Sequence, residues 1–198
     1  MQLKEDVTPD DHSQGQEEAK VTLVEYGDYQ CSDCGSAYPV VKRLQERFGE
    51  SLRFTFRNFP FAQAHPMAES AAEAAEYAAT KGKFWQMHDD LYEHQSELSV
   101  ELLASLATKN ELGAELLTEA LVQQTFQKRV RKDFIGGARS GVNGTPTFFI
   151  NGIRHDGEGD VETLAVAIEQ FLWRTLANQS LRMPEMSGAR LLRVAMVF

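Results

Sequence analysis

Apolar residues recur with shifting period along this chain, and each shift marks an element. Residues 20–26 carry the β-branched run Val21-Thr-Leu-Val-Glu-Tyr26, which reads as a strand buried on both faces. From Ser32 to Phe48 the apolar positions Tyr38, Val41, Leu44 and Phe48 follow the three-to-four spacing of a helix that Gly49 can end. Pro39 falls inside it and predicts a kink. Leu52-Arg-Phe-Thr-Phe56 alternates with period two and predicts a second strand.

From Pro66 to Gly137 the pattern is almost wholly helical. Pro66 suits a first helical turn. The spacing predicts helices over Met67–Ala79 and Lys83–His94, a third N-capped by Ser99, and a fourth over Gly113–Leu121. A fifth carries Phe126, Val130 and Phe134, each four apart. Strand character returns at Thr147-Phe-Phe-Ile150, and Asn151-Gly152 signals a hairpin into Ile153-Arg-His155. Asp160 is placed to N-cap a last helix, from Val161 to Leu176. Setting the helical block aside leaves βαβ followed by ββα. That order predicts an α/β thioredoxin fold, a mixed central sheet flanked by helices with an inserted all-α subdomain. The expected division is a poorly ordered polar arm over 1–19 with room for a short edge strand, the thioredoxin-fold domain over 20–62 and 142–177, the helical insertion over 63–141, and a C-terminal tail over 178–198.

Composition narrows the function. The 198 residues are 42% hydrophobic, enough for a core that needs no disulfide staple, and suit one domain with an insertion. Lys+Arg 20 against Asp+Glu 29 gives a formal charge of −9, which argues against nucleic acid or an anionic membrane as partner. The basic cluster Lys128-Arg129-Val-Arg131-Lys132 is expected to be a solvated helix face. No stretch approaches the roughly 20 apolar residues of a membrane span. The residues after Met1 hold no apolar signal core, so the expected location is cytoplasmic, where a thiol pair rests reduced.

Only two cysteines occur, at Cys31-Ser-Asp-Cys34, between the first strand and the helix that follows it. Thiols at this spacing can close a disulfide within one helical turn, and a helix N-terminus favours the thiolate of the first. A structural staple is a poor alternative, because closing so short a loop removes only about 2 kcal/mol of unfolded-state freedom. A zinc site lacks its second pair of ligands. His88 and His94 are six apart, matching neither spacing of a one-face helical metal pair, so no metal is expected. No glycine-rich phosphate loop is present, and no cofactor is expected. The remaining reading is thiol–disulfide exchange.

With these residues in hand, the chain resembles the DsbA-like thioredoxin-fold oxidoreductases. The resemblance rests on Tyr26-Gly-Asp-Tyr-Gln-Cys31-Ser-Asp-Cys34, on Phe56-Arg-Asn-Phe-Pro60 with His65-Pro66, on Gly82-Lys-Phe-Trp85, and on Gly141-Val-Asn-Gly-Thr-Pro-Thr-Phe-Phe-Ile-Asn-Gly152. It implies that Cys31 is an exposed nucleophile, Cys34 a buried resolving thiol, Glu25 a buried carboxylate beneath them, and Thr145-Pro146 a cis-proline loop facing them. It also implies a substrate surface made of Thr145, Pro146, Tyr29, Ser32 and Asp33. The implied partners are protein thiols or disulfides and a recycling redox partner. Two competitors share the architecture. A kappa-type glutathione-dependent transferase needs no second thiol, and a non-catalytic peptide-binding module needs neither. Ser32-Asp33, with Asp28 nearby, places negative charge around Cys31 and is expected to raise its pKa and weaken the disulfide as an oxidant.

Overall fold

The computed structural model describes residues 1–180. Its strands are β1 (His12–Gln14), β2 (Val21–Gly27), β3 (Leu52–Asn58), β4 (Thr147–Ile150) and β5 (Ile153–Arg154). They form one mixed sheet in the order β1-β3-β2-β4-β5. The helices are α1 (Ser32–Phe48), α2 (Ala68–Ala79), α3 (Phe84–Glu93), α4 (Val100–Lys109), α5 (Ala114–Val122), α6 (Gln127–Arg139) and α7 (Val161–Ser180). This is the thioredoxin fold that the element order predicts. The tail expected over 178–198 lies outside the described residues from position 181 onward.

β2 and β3 run parallel, joined by α1, with Glu25 opposite Phe56 and Tyr26 opposite Arg57. β4 returns antiparallel to β2, setting Phe148 opposite Glu25. Alternation along the strands sorts the side chains onto two faces. On one face Leu23, Phe54, Phe56, Phe148 and Ile150 pack with Leu44 of α1, Leu91 of α3 and Ile168 of α7. On the other, Val24, Tyr26 and Phe149 pack with Phe59 and Val142. Phe134 of α6 stacks on Phe59 there, with centroids 4.3 Å apart.

Local signals fall where the chemistry puts them. The Ser99 hydroxyl accepts Leu102 N–H at 3.1 Å, and Asp160 Oδ1 accepts Glu162 and Thr163 N–H at 2.8 and 3.0 Å. Asn151 and Gly152 make the β4–β5 turn with φ of 47° and 77°, the paired positive values a tight hairpin needs. β3 runs two residues beyond the predicted Phe56, because Arg57 and Asn58 find their partners inside the protein.

Two expectations are corrected. The polar arm does hold a short edge strand, β1, but it is tied down at both edges of the sheet rather than poorly ordered. β1 pairs antiparallel with β3, while Leu3 N–H donates to Gly152 O at 2.8 Å. Between these anchors the buried Arg57 donates to Glu5 O and Asp6 O at 3.0 Å each, to Tyr26 Oη at 3.0 Å, and to Asp11 at 2.7 Å. The arm is held through its backbone carbonyls, which a residue-type reading does not see. The basic cluster is not uniformly solvated either. Arg129 turns inward to Asp133 and lies 3.7 Å from Glu76, which also takes His12 at 3.0 Å and Asn58 Nδ2 at 2.8 Å.

Candidate active site

β2 ends at Gly27, a short loop crosses over, and α1 opens with Cys31 as its N-cap residue and Cys34 in its first turn. Both are free thiols. Cys34 is fully buried, and Asp28 N–H points at its sulfur from 3.4 Å. Cys31 is only 8% exposed, a correction to the expected open nucleophile. It lies against the Thr145–Pro146 loop, whose peptide bond is cis, and as a thiol it donates to Thr145 O at 3.3 Å.

The two sulfurs are set far apart in acidity. The Cys34 thiol donating to Cys31 pulls the latter down to about 5, against its own burial, with help from the backbone N–H groups of Cys34 and Asp33. Burial, first, and then the bond to Cys31 hold Cys34 protonated. Glu25 lies beneath them, 2% exposed, with Oε1 lacking any partner. Burial, and then the Cys31 charge, push its carboxyl up to about 8. Glu25 and the unpartnered Tyr92 hydroxyl line a small void of about 10 Å³ together with Lys42 and Gln45.

The acidic penalty expected on Cys31 has no counterpart in this geometry. Asp28 is turned away and saturated. Its Oδ1 accepts Gln30 N–H, and its Oδ2 accepts Phe61 N–H and faces His65 Nδ1, all at 2.8 Å. Asp33 is exposed and its backbone N–H favours the thiolate. Ser32 is also exposed at the mouth of the site. Asp33, Thr145 and Pro146 line a groove of about 710 Å³ that continues along Phe148 and the 155–160 loop. Tyr29 does not join them. Its ring is 1% exposed and its hydroxyl meets His88 Nδ1 at 3.0 Å, so the side chain belongs to the core rather than to a substrate surface. His88 is kept neutral by burial in the same aromatic nest. Among the described residues, no group of three His, Cys, Asp or Glu side chains is arranged to hold a metal.

The helical block grips the cysteine loop through residues the sequence did not single out. Gln95 Nε2 donates to Tyr29 O and Cys31 O at 2.8 Å each, and Met67 N–H donates to Gln30 Oε1 at 2.7 Å. Gln30 belongs to the cysteine motif without a role read for it, and Gln95 stood in no pattern that spacing or periodicity can detect.

A family model described as Thioredoxin matches residues 7–170. The chain belongs to the thioredoxin family. Among solved structures it is similar to oxidised BdbD from Bacillus subtilis, at 28% identity and a TM-score of 0.75, covering 81% of this chain and 92% of that one. It shares its fold with α-DsbA1 of Wolbachia pipientis, at 16% identity and a TM-score of 0.76 over 87% and 96% of the two chains. The DsbA-like resemblance read from the motifs is borne out. Curated relatives bring a different name. The chain is 44% identical over 163 residues to a Na(+)/H(+) antiporter NhaA 1 of Salinispora arenicola, covering 82% of this chain and 25% of the antiporter. An NhaA 3 of Salinispora tropica matches at 43% with the same coverage. The chain thus spans about a quarter of the length of these curated relatives. Among its described residues no helix is long and apolar enough to cross a membrane.

Proposed function

We propose that this thioredoxin-family chain is a thiol–disulfide oxidoreductase that exchanges disulfides with protein substrates through Cys31 and Cys34. The observation that carries the reading is the placement of Cys31 against Thr145 O and the Thr145–Pro146 loop, with the fully buried Cys34 one helical turn on and a buried carboxyl beneath them that has one oxygen unpartnered. In this reading residues 20–62 and 142–177 are the catalytic body and 63–141 the helical insertion. The antiporter relatives carry activities of proteins about four times as long, and exchange is proposed for the shared stretch alone.

The chemistry follows from the charges. Cys31 thiolate attacks one sulfur of a substrate disulfide, forms a mixed disulfide and releases a substrate thiolate. That step removes the Cys31 charge, one of the two causes that raise Glu25. The carboxyl then becomes a stronger acid than before, and its carboxylate form can take the proton that Cys34 must lose. Cys34 passes that proton to Glu25 and attacks Cys31, and the second substrate thiolate leaves. The substrate has gained two electrons and the chain holds the disulfide. Oxidation of a substrate dithiol is the same path reversed. A stabilised Cys31 thiolate favours the dithiol form of the chain, so its disulfide is an oxidising one. In a reducing compartment the pair rests as dithiol, and in an oxidising one as disulfide. Thr145 and Pro146, with Ser32 and Asp33, form the rim over which the substrate peptide lies.

Cys34→Ser incubated with disulfide-bearing proteins tests the reading. Accumulation of protein mixed disulfides on Cys31, with loss of insulin reduction in Cys31→Ser, is the expected result. No trapped protein, with glutathione turnover retained, identifies the kappa-type transferase instead. Full activity of Cys31→Ser leaves only the binding module.

A further inference from the structure

Cys31 caps α1 with its backbone alone, and no side chain of its own loop assists it. Its carbonyl already accepts Gly35 N–H at 3.0 Å. Gln95 comes in from the 3-10 turn Gln95–Glu97, 64 positions away, and donates to that same carbonyl and to the carbonyl of Tyr29. An amide nitrogen has two protons, and both go to these two oxygens. The space for it is made by a missing side chain. A Cβ on Gly35 would stand 2.2 Å from Gln95 Oε1.

Tyr29 O and Cys31 O are negative dipole ends bracketing the Cys31 peptide. Donors on both weaken their repulsion of a nearby thiolate and lock the two peptide planes. The same planes set the direction of the first helical N–H groups, those of Asp33 and Cys34, which support the thiolate. We propose that Gln95 is a positioning residue for Cys31, clamping the peptide groups on either side of it so that the start of α1 faces the sulfur. Gly35 is the second half of the device, since it admits the clamp. The proposal rests on Cys31 being the nucleophile. It makes the geometry of the redox site a property of the helical block as well as of the thioredoxin core.

Two variants break the clamp in different ways. Gln95→Glu keeps the shape but replaces the donor by a carboxylate facing two carbonyls, and Gly35→Ala expels an unaltered Gln95. Each should raise the Cys31 pKa by about one unit, so that iodoacetamide alkylation at pH 4 slows about tenfold. The equilibrium with glutathione should move toward the disulfide form of the chain. In the unaltered protein, the side-chain amide protons of Gln95 should shift in NMR spectra with the midpoint of Cys31 alkylation. A Gln95→Glu protein that melts earlier but alkylates with an unmoved midpoint overturns the clamp, and so do Gln95 amide signals that ignore the Cys31 titration. Those amide signals decide the matter if both variants fail to fold. Cys31→Ser separates the two failures. If it abolishes exchange while the alkylation midpoint ignores Gln95, the clamp is wrong and the oxidoreductase stands.

Discussion

Glu25 and Arg57 sit one register step apart on the β2–β3 pair, on opposite faces of the same sheet. Both are buried, and their surroundings differ completely. Arg57 is met by Asp11, the Tyr26 hydroxyl and the carbonyls of Glu5 and Asp6, so its charge is matched donor by donor. Burial alone would raise Asp11, yet Arg57 holds its carboxyl below the ordinary range. Glu25 borders a small void with Tyr38, Val41, Phe54 and Tyr92 and has one oxygen unpartnered, while Lys42, which lines the same void, pairs with Asp89 instead. The contrast separates two uses of a buried charge. A compensated one fixes structure, here the N-terminal arm against the sheet. An uncompensated one stays ready to change protonation state, and this one lies under the two thiols.

Removing each residue should therefore fail in a different assay. Arg57→Ala strands Asp11 and frees the arm, and should cost about 3–5 kcal/mol in urea denaturation, the usual loss when one partner of a buried ion pair is deleted. Its exchange rate, measured on the fraction still folded, should stay close to normal. Glu25→Gln should raise stability near pH 7, because there the folded chain still holds a carboxyl proton that the unfolded chain has released, and a neutral amide removes that cost. Its insulin reduction should slow by about a hundredfold, the usual weight of a positioned proton acceptor. A Glu25→Gln protein that unfolds early and exchanges normally would erase the distinction between the two faces.

The pH dependence of stability sharpens the same contrast. Glu25 titrates near 8 when folded and near its ordinary 4.5 when unfolded. Between those values the folded chain keeps a proton that the unfolded chain has lost, so stability falls as pH rises, by at most about 1.4 kcal/mol per pH unit. Cys31 works in the opposite sense, since its folded value is about 5 and its ordinary value 9. There the unfolded chain keeps the proton, and stability rises with pH across that window. The two slopes oppose each other in the dithiol form. Closing the disulfide removes the Cys31 slope and leaves that of Glu25 over a narrower window, because burial still raises the carboxyl while the Cys31 charge no longer does. Denaturant titrations from pH 5 to pH 8 should show the oxidised protein losing stability where the reduced one is nearly flat. Glu25→Gln should flatten the slope of the oxidised form.

Much of this was legible in residue order. Alternation and three-to-four spacing located β2, α1, β3, the helical run and the Asn151-Gly152 hairpin, because each depends on local backbone chemistry and on which side chains need burial. The cysteine pair came from its spacing, Glu25 and Thr145-Pro146 from the resemblance to DsbA-like proteins, and the fold brings Cys31 to Thr145 across 114 positions. What escaped depends on contacts between polar atoms far apart in the chain. Gln95 acts through its amide on backbone groups, and any polar surface residue looks the same in sequence, while Gln30 was visible in the cysteine motif but its bond from Met67 N–H was not. The resemblance puts Tyr29, within the cysteine motif, at the substrate surface. The loop instead turns its ring inward, where Phe56, His88 and Tyr92 surround it. Asp28 read as a free negative charge because sequence does not show that Gln30, Phe61 and His65 surround its oxygens.

Asp33 carries the smallest and most discriminating expectation. Charge counting makes it a brake on the Cys31 thiolate, and a brake should be released by Asp33→Asn. In the structure its carboxylate is solvent-exposed while its N–H supports the sulfur, and substitution leaves that N–H in place. An exposed charge in water is screened and worth no more than about 1 kcal/mol. Asp33→Asn should therefore lower the alkylation midpoint of Cys31 by less than one pH unit, and by less still at 0.5 M salt. Asp33→His adds a cation at the same exposed point and should move it only slightly further. If either change shifts the midpoint by two units, side-chain charge governs the thiol. The weight placed here on Cys34, the α1 backbone and Gln95 would then have to move to the residues between the cysteines.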